Sequence, residues 1–412
     1  MPAGRAGLLR ASLTLLAGGA LAQALPLALG PWLTRLYAPA EFGHYTVFAA
    51  VAANIAVVAC ARYDFALPLV HDEDEARDLL ALCVRVLSGM TAACIVVAVA
   101  VVSIGAPLHW LWLPAAVFSA GAAQALVSWS ARAHRYGALS TSRVVQYGGA
   151  AAAQVAGGLL RLGTVGLIAG PVVANGVALA CLTRPAPRGG WAALGRVRAS
   201  ALRVVARRHR VFPLVNTPHA FAAALQDTLT VALLVLVSGE AAAGFWGLAL
   251  RYLKAPASLV GGAVSQALYP RLGNSSPAEA RAAVAQVMAT LAAIAAPLVL
   301  ALLLSGPDLF AAAFGEPWRE AGELARALAP YIGMHFVASP LAVVTMAWRA
   351  QAWALRFSVA GQLLFLAALG LGVREGGLVG GAWAVSAAMV LYFGCYFWML
   401  LNWKDVPDVR AA

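Results

Sequence analysis

Apolar runs of about 20 residues recur along the whole chain, almost free of charge, and arginines gather in the connections between them. At roughly 1.5 Å of rise per residue, a helix of that length crosses the hydrocarbon of a bilayer. Inside hydrocarbon the backbone must satisfy its own polar groups, which leaves helices or a closed barrel. Barrel strands would read as alternating segments of about 10 residues, and these runs do not alternate. The predicted fold is therefore all-α and polytopic. Composition closes the soluble alternative: 62% of the 412 residues are hydrophobic and 11% charged, against roughly 25% charged in soluble domains.

Twelve spans are predicted, near 11–33, 44–69, 80–104, 108–130, 144–161, 164–182, 212–237, 243–269, 283–305, 323–347, 353–373 and 377–402. Spans five and six are divided only by a glycine-rich break from Gly157 to Gly166. The start of the chain also has features of a secretory signal: Arg5, Arg10, an apolar run and Ala22-Gln23-Ala24. The run continues to Trp32, however, and we read it as the first span. The net charge of +12 sets topology and is not read as a nucleic-acid surface. One side of the membrane collects Arg5, Arg10, Arg77, Arg132, Arg135 and Arg143, the arginines from Arg184 to Arg210, then Arg271, Arg281, Arg349, Arg356, Lys404 and Arg410. The other side has Arg35, Arg161, Arg319, Arg326 and Arg374. By the positive-inside rule the first side is cytoplasmic, and so are both termini.

The expected organisation is an N-terminal six-helix lobe over 1–182 and a basic cytoplasmic linker over 183–211. Second-lobe helices 7–10 follow over 212–348, then helices 11–12 with a short cytoplasmic tail over 349–412. The linker has two readings, a topogenic tether or an amphipathic helix on anionic lipid. The lobes repeat one pattern: Glu41-Phe-Gly43-His-Tyr45 in the first, Glu240-Ala-Ala-Ala-Gly244-Phe-Trp246 in the second, with the next helix closing at Leu67-Pro68 and Leu268-Tyr269-Pro270. Six spans per repeat give both lobes one orientation, an arrangement that encloses a central cavity.

Charges within spans are costly, about 2.5–3.5 kcal/mol each on insertion scales, and normally face a cavity or a partner. On helix eight Gly244, Gly247, Arg251, Lys254, Ser258, Gly261 and Ser265 recur at spacings of three and four, one small, polar and cationic stripe. Helix seven carries Asn216 and Asp227 on one face. Asp227 reads either as a counter-ion to Arg251 or Lys254 or as a protonatable coupling site. Helix two contributes Asn54, Arg62 and Asp64, where Arg62 lines the cavity or anchors at the interface. Helix one has Gln23 beside Pro26 and Pro31, the mark of a bend, with Arg35 at its outer end. The run His71-Asp-Glu-Asp-Glu-Ala-Arg77-Asp78 suits a capped helix start. The five cysteines (Cys60, Cys83, Cys94, Cys181, Cys395) read as small hydrophobes. No metal, cofactor or catalytic motif is present, so an enzyme is not expected.

Several stretches carry a resemblance. The first is Leu33-Thr-Arg35-Leu-Tyr37-Ala-Pro39-Ala-Glu41-Phe-Gly43-His-Tyr45, followed by Arg62-Tyr63-Asp64 and the acidic run. The second is Phe212-Pro213, then Gly244-Phe-Trp246 through Arg251-Tyr-Leu-Lys254-Ala-Pro256, then Gly262-Ala-Val-Ser-Gln266-Ala-Leu-Tyr-Pro270. These resemble the Wzx-type polysaccharide flippases (O-antigen and lipopolysaccharide biosynthesis) of the multidrug/oligosaccharidyl-lipid/polysaccharide exporter superfamily. Asp64 departs from the glutamate more usual there, and the fifth and sixth helices match nothing specific. The resemblance implies two lobes, a cationic cavity and alternating access in a bacterial inner membrane. The cargo it implies is an undecaprenyl-pyrophosphate-linked repeat unit, with a polysaccharide polymerase and glycosyltransferases as partners and H+ or Na+ coupling left open. The candidate anion-binding cations are Arg35, Arg62, Arg251 and Lys254, since arginine's fork of donors suits pyrophosphate. Asp227 and Asp64 are the coupling or counter-ion candidates, and Gln23, Asn54, Asn216, Ser258 and Gln266 the polar lining. An ion-coupled multidrug exporter of the same superfamily is the alternative, and a membrane glycan ligase or polymerase a weaker one.

Overall fold

The computed structural model describes the backbone of residues 5–273, 275–403 and 406, and side chains from residue 17 onward. Lys404, Arg410 and the side chains of Arg5 and Arg10, used above for orientation, lie outside the described residues. Among the described residues there is no strand. The helices are α1 (Arg5–Leu36), α2 (Pro39–Ala56), α3 (Glu73–Ser103), α4 (Leu113–Arg132), α5 (Tyr136–Leu159) and α6 (Thr164–Leu182). Next come α7 (Ala192–Arg196), α8 (Ala199–Arg208), α9 (Thr217–Ser238), α10 (Glu240–Leu253) and α11 (Ala255–Gly273). The last are α12 (Pro277–Phe314), α13 (Arg319–Ala338), α14 (Ala342–Ala347) and α15 (Gln351–Leu401). The chain is thus an all-α polytopic membrane protein, and seven of its helical segments are long and apolar enough to cross a bilayer on length and hydropathy among the described residues. α15 is two spans joined at Gly376 and Gly377. Gly377 has φ +63° with ψ −160°, a conformation open essentially to glycine.

By its contacts the chain forms two units. One comprises the chain up to Tyr37 with His44–Thr228, the other Ala38–Gly43 with Leu229 onward. In the first unit α5 packs along α1 and α6, and α3 along α4. The glycine-rich break between spans five and six has a structural use: Gly157 and Gly166 bring α5 and α6 so close that a Cβ at Gly157 would strike the Gly166 backbone, and one at Gly166 the Tyr37 hydroxyl. Tyr37 fills the space beside them and donates to the Gln154 carbonyl at 2.7 Å. Small residues that allow backbones to meet are what helix pairing in lipid favours. In the second unit α12 packs on α13 and α13 on α15, with Gly306 and Gly322 at the first of these crossings.

The short segment Ala38–Gly43 belongs to the second unit because its glycine permits it. A Cβ at Gly43 would run into the Glu240 carbonyl, and one at Gly244 into the Pro39 carbonyl. Phe42 then stands edge-on to Trp318 at 4.9 Å, and Glu41 accepts from the Ala38 amide at 2.8 Å. The acid, aromatic and glycine of the repeated motif are a cap, an anchor and a close approach.

Two expected spans are interrupted. Span two, expected to run helically from 44 to 69, leaves the α-helix at Ala56, and Ala61 and Arg62 take φ of 47° and 59°. Successive i to i+3 bonds follow, and Tyr63–Leu69 is a 3-10 helix. Pro68, without an amide proton, cannot join an α-helix through Asp64. Span eight, expected continuous from 243 to 269, breaks between Leu253 and Ala255. Pro256 is the reason: its ring opposes the Tyr252 carbonyl and offers it no donor.

The basic stretch 183–211, expected as a linker, folds into α7 and α8 and packs on α3. Leu202 and Val205 enter the first unit's core. The acidic start of α3 does more than cap itself through Asp72, which accepts from the Glu75 amide at 2.9 Å. Glu73 holds Arg132 at 2.9 Å, Asp74 holds Arg188 at 3.2 Å, and Glu75 takes both Arg208 at 2.7 Å and His209 at 3.0 Å. Burial raises the Glu75 carboxyl, but the bonds from Arg208 and His209 outweigh it and hold the group below its ordinary value. Exposed pairs contribute little singly, so the network is the relevant unit.

Two outcomes are expected. Gly244→Val should cost about 1–3 kcal/mol through overpacking, seen as a lower Tm of the purified protein, whereas Gly262→Val, where a Cβ meets open space, should stay near wild type. Because the folded Glu75 carboxyl is depressed, its contribution is complete above the ordinary carboxylate range and is lost as pH falls through its folded value. The protection factors of the α8 amides against hydrogen exchange, which take out the intrinsic slowing by acid, should therefore fall in acid, and Glu75→Gln should show the low protection already at neutral pH.

Candidate functional site

Two of the residues predicted to bind an anion, Arg62 and Lys254, sit at irregular backbone. Non-helical chain at membrane depth survives only where protein buries it or where it lines a water-filled cavity. In the first unit Arg62 is half-buried in the left-handed conformation that follows α2, its guanidinium 4.3 Å from the centre of the Phe65 ring. Stacking on an aromatic face keeps a guanidinium in place while its edge remains free to donate. Two residues on, Asp64 is 2% exposed. Arg62 acts on it electrostatically and Gln124 of α4 is its side-chain neighbour. Its Oδ2 has no hydrogen-bond partner among the described residues, and Asp64 and Arg62 form no ion pair there. A buried carboxylate oxygen left open in this way is costly and points to use.

In the second unit Lys254 is half-buried at the break between α10 and α11, and Arg251 is half-buried one turn earlier. The rest of the expected polar stripe does other work. Gly244 and Gly261 are packing positions, Ser265 donates to the Pro340 carbonyl at 3.0 Å, and the exposed Ser258 donates to Ala255 at 2.8 Å. The break turns the stripe into two short faces.

Lys254 lies within electrostatic reach of His335 on α13. His335 borders a cavity of about 260 Å³ within the second unit, walled by Phe357, Tyr392, Phe393 and Tyr396 with the hydroxyls of Ser339 and Thr345. Its Nδ1 is buried without a partner among the described residues. Histidine spacing carries no sign of this, since the neighbouring groups come from the α10–α11 junction, α14 and α15. The aromatic wall did leave a signal: Trp353 and Phe357, then Tyr392 and Tyr396, recur at helical spacing and stack at 4.5–6.0 Å.

The remaining candidates fall elsewhere. Arg35 is exposed in the last turn of α1, and Gln23 is half-buried in the same helix. Asn54 is buried and donates to Thr228 at 3.2 Å, and Thr228 in turn donates to the Ala50 carbonyl, which ties α2 to α9 inside the first unit. Asn216, in a π-helical turn at the entry to α9, and Asp227 are exposed, as is Gln266 on α11. The structure therefore brings Arg62 together with Asp64, and Arg251 together with Lys254.

A sequence profile for a family described as "Polysaccharide biosynthesis protein" matches residues 32–323. No curated protein matches the sequence. Among solved structures the fold resembles a multidrug resistance MATE family transporter of the MOP superfamily in an inward-facing conformation, at 12% identity and a TM-score of 0.64, covering 93% of this chain and 96% of that one. It also resembles the lipid II flippase MurJ in an inward closed conformation, at 10% identity and 0.67, covering 94% and 87%. A MOP superfamily transporter from Pyrococcus furiosus, described by the reverse polarity of its binding pocket, aligns at 12% identity and 0.54 over 95% and 94%.

Arg62 occupies a backbone conformation that costs a non-glycine residue about 1–3 kcal/mol. Arg62→Gly should therefore keep or raise the Tm of the purified protein while removing the guanidinium. A clear fall in Tm would assign Arg62 to folding.

Proposed function

The chain belongs to the polysaccharide biosynthesis protein family, and we propose that it is a flippase for a lipid-linked oligosaccharide. Its cargo on this reading is an undecaprenyl-pyrophosphate-linked repeat unit, carried by alternating access from the cytoplasmic to the periplasmic leaflet of a bacterial inner membrane, with both termini cytoplasmic. The product feeds a surface polysaccharide of the O-antigen or lipopolysaccharide type. Glycosyltransferases supply the substrate and a polymerase consumes it.

One observation carries this reading. In each unit, candidate cations stand at or beside a break in a membrane span: Arg62 beyond α2, and Lys254 with Arg251 at the junction of α10 and α11. A diphosphate needs concentrated positive charge to leave water for a membrane interior, and it must also be released. A few half-buried cations meet both requirements better than a large cluster. Arg35, exposed in the last turn of α1, is a further cation on this reading, and Gln23, Asn216 and Gln266 are polar residues for a ligand's sugars. The reaction breaks no covalent bond, so the work is binding and release.

A second reading keeps one specific support. Asp64, buried with an open oxygen, is what an ion-coupled exporter of organic cations would need, and Asp227 adds a second acid. The two readings share a fold and differ in the sign of the cargo. In the flippase these acids moderate the cations or couple transport to H+ or Na+.

Arg251→Ala and Lys254→Ala, expressed in a strain lacking the wild-type protein, should each reduce surface polysaccharide at least about tenfold, the scale of losing one charge-assisted contact of about 1.5–3 kcal/mol. The variants should remain in the membrane at wild-type level. Unchanged polysaccharide would remove these residues from the mechanism, and drug sensitivity in the deletion strain with normal polysaccharide would favour the second reading.

A further inference from the structure

The anchored segment between α6 and α9 builds a cavity that the transport reading leaves unused. It measures about 600 Å³ and lies in the first unit where α7 and α8 meet the start of α3. Its lining divides sharply in chemistry. Arg77, Arg196, Arg198 and Ser200 provide positive charge and a hydroxyl, opposed by one acid, Asp78. Ala193, Val197, Ala201 and Val204 provide a methyl surface.

Its cations differ in availability. Arg77 is committed to Asp78 at 2.8 Å and to Asp74 at 3.0 Å. Arg196 and Arg198 are exposed, and neither makes an ion pair among the described residues. The backbone that presents them is held. Arg85 on α3 donates to the Val197 carbonyl at 2.6 Å and to the Gly195 carbonyl at 3.4 Å, which fixes the turn between α7 and α8. Glu75 grips the far end of α8 through Arg208 and His209. Two guanidiniums without ion partners among the described residues stand on a fixed turn, so binding an anion there need order only their side chains and not the backbone.

The apolar half of the lining decides what kind of anion. Inorganic phosphate has nothing to place against Ala193, Ala201 and Val204, whereas a phospholipid places its glycerol and the first methylenes of its chains there. The rim agrees: Val204 is 65% exposed and Trp191 37% exposed, and tryptophan at this level is an interfacial residue. The arginine excess assigns this face to the cytoplasm, where anionic lipids concentrate. We propose that this cavity is a binding site for an anionic phospholipid of the cytoplasmic leaflet, with Arg196, Arg198 and Ser200 on the headgroup phosphate and the alanine and valine surface under the glycerol and upper chains. Bound there, the lipid pins the segment leading into α9 to the membrane. The site is separate from the cations assigned to the cargo and stands or falls without them.

The test uses full-length protein in detergent, titrated with short-chain phosphatidylglycerol, short-chain phosphatidylcholine and inorganic phosphate, with the Tm as readout. Phosphatidylglycerol should raise the Tm most. Its apparent affinity should fall about tenfold or more in Arg196→Gln/Arg198→Gln, from about 1 kcal/mol per surface arginine. Arg203→Gln/Arg207→Gln, with the same charge change on α8 but outside the cavity, should stay within about twofold, by the same per-residue estimate for charges that miss the lipid. An equal effect of both pairs overturns the site in favour of diffuse attraction. An equal response to phosphatidylcholine overturns the anionic requirement, and a full response to phosphate alone overturns the lipid. Should the cavity variant fail to fold, a photoreactive phosphatidylglycerol on wild-type protein must label the peptide over residues 191–204, and labelling only elsewhere rejects the proposal.

Discussion

Everything in this protein follows from the rule that a peptide group in hydrocarbon must find its hydrogen-bond partner within the protein. Regular helix meets the rule cheaply, and most of the chain is regular helix. The exceptions are therefore the informative places. The stretch after α2 and the junction of α10 with α11 both give up α-helical bonds at membrane depth, and both carry cations. Proline explains the break after Leu253, whereas the stretch after α2 leaves the helix well before Pro68 and passes through left-handed Ala61 and Arg62. Tolerance of either break requires that the freed groups be buried or wetted, and half-buried arginine and lysine side chains indicate water.

The family-like motif near the start of the chain turns out to work mainly as architecture. Tyr37 is locked against the α5–α6 crossing, Glu41 caps the start of α2, Phe42 packs on Trp318, and Gly43 admits the Glu240 backbone. In the same stretch Arg35 is exposed and remains available to a ligand. The chain thus passes from the first unit to the second and back within a few residues, with each residue type chosen by the contact it makes. Mutations here would alter stability before chemistry, and a loss of function at Gly43 or Tyr37 says little about substrate.

The all-α polytopic fold, the positions of many helix ends and the division of the last apolar stretch near Gly376 were legible in the sequence, because length and hydropathy report directly on the bilayer. The breaks were harder to read. Pro256 and the left-handed pair Ala61 and Arg62 sit inside apolar runs that look continuous, and hydropathy is blind to a lost hydrogen bond. The packing of α7 and α8 on α3 was also hidden, since an arginine-rich segment resembles a solvated tether until its acidic partners, 114 to 134 residues away in sequence, are placed beside it. For the candidate site, Arg62, Asp64, Arg251 and Lys254 could be named from charge in an apolar context alone. His335 and its aromatic cavity could not, because four separate helices assemble it.

The flippase reading rests on recognition of a negatively charged lipid headgroup by cations at broken spans. The most direct measurement places the purified protein in vesicles with two glycolipids that share one oligosaccharide, one joined to its polyprenyl chain through a diphosphate and one through an uncharged linkage. Movement of the diphosphate-linked lipid well above protein-free vesicles, with the uncharged one left behind, is the expected result. Equal movement of both, or movement of neither, would contradict it.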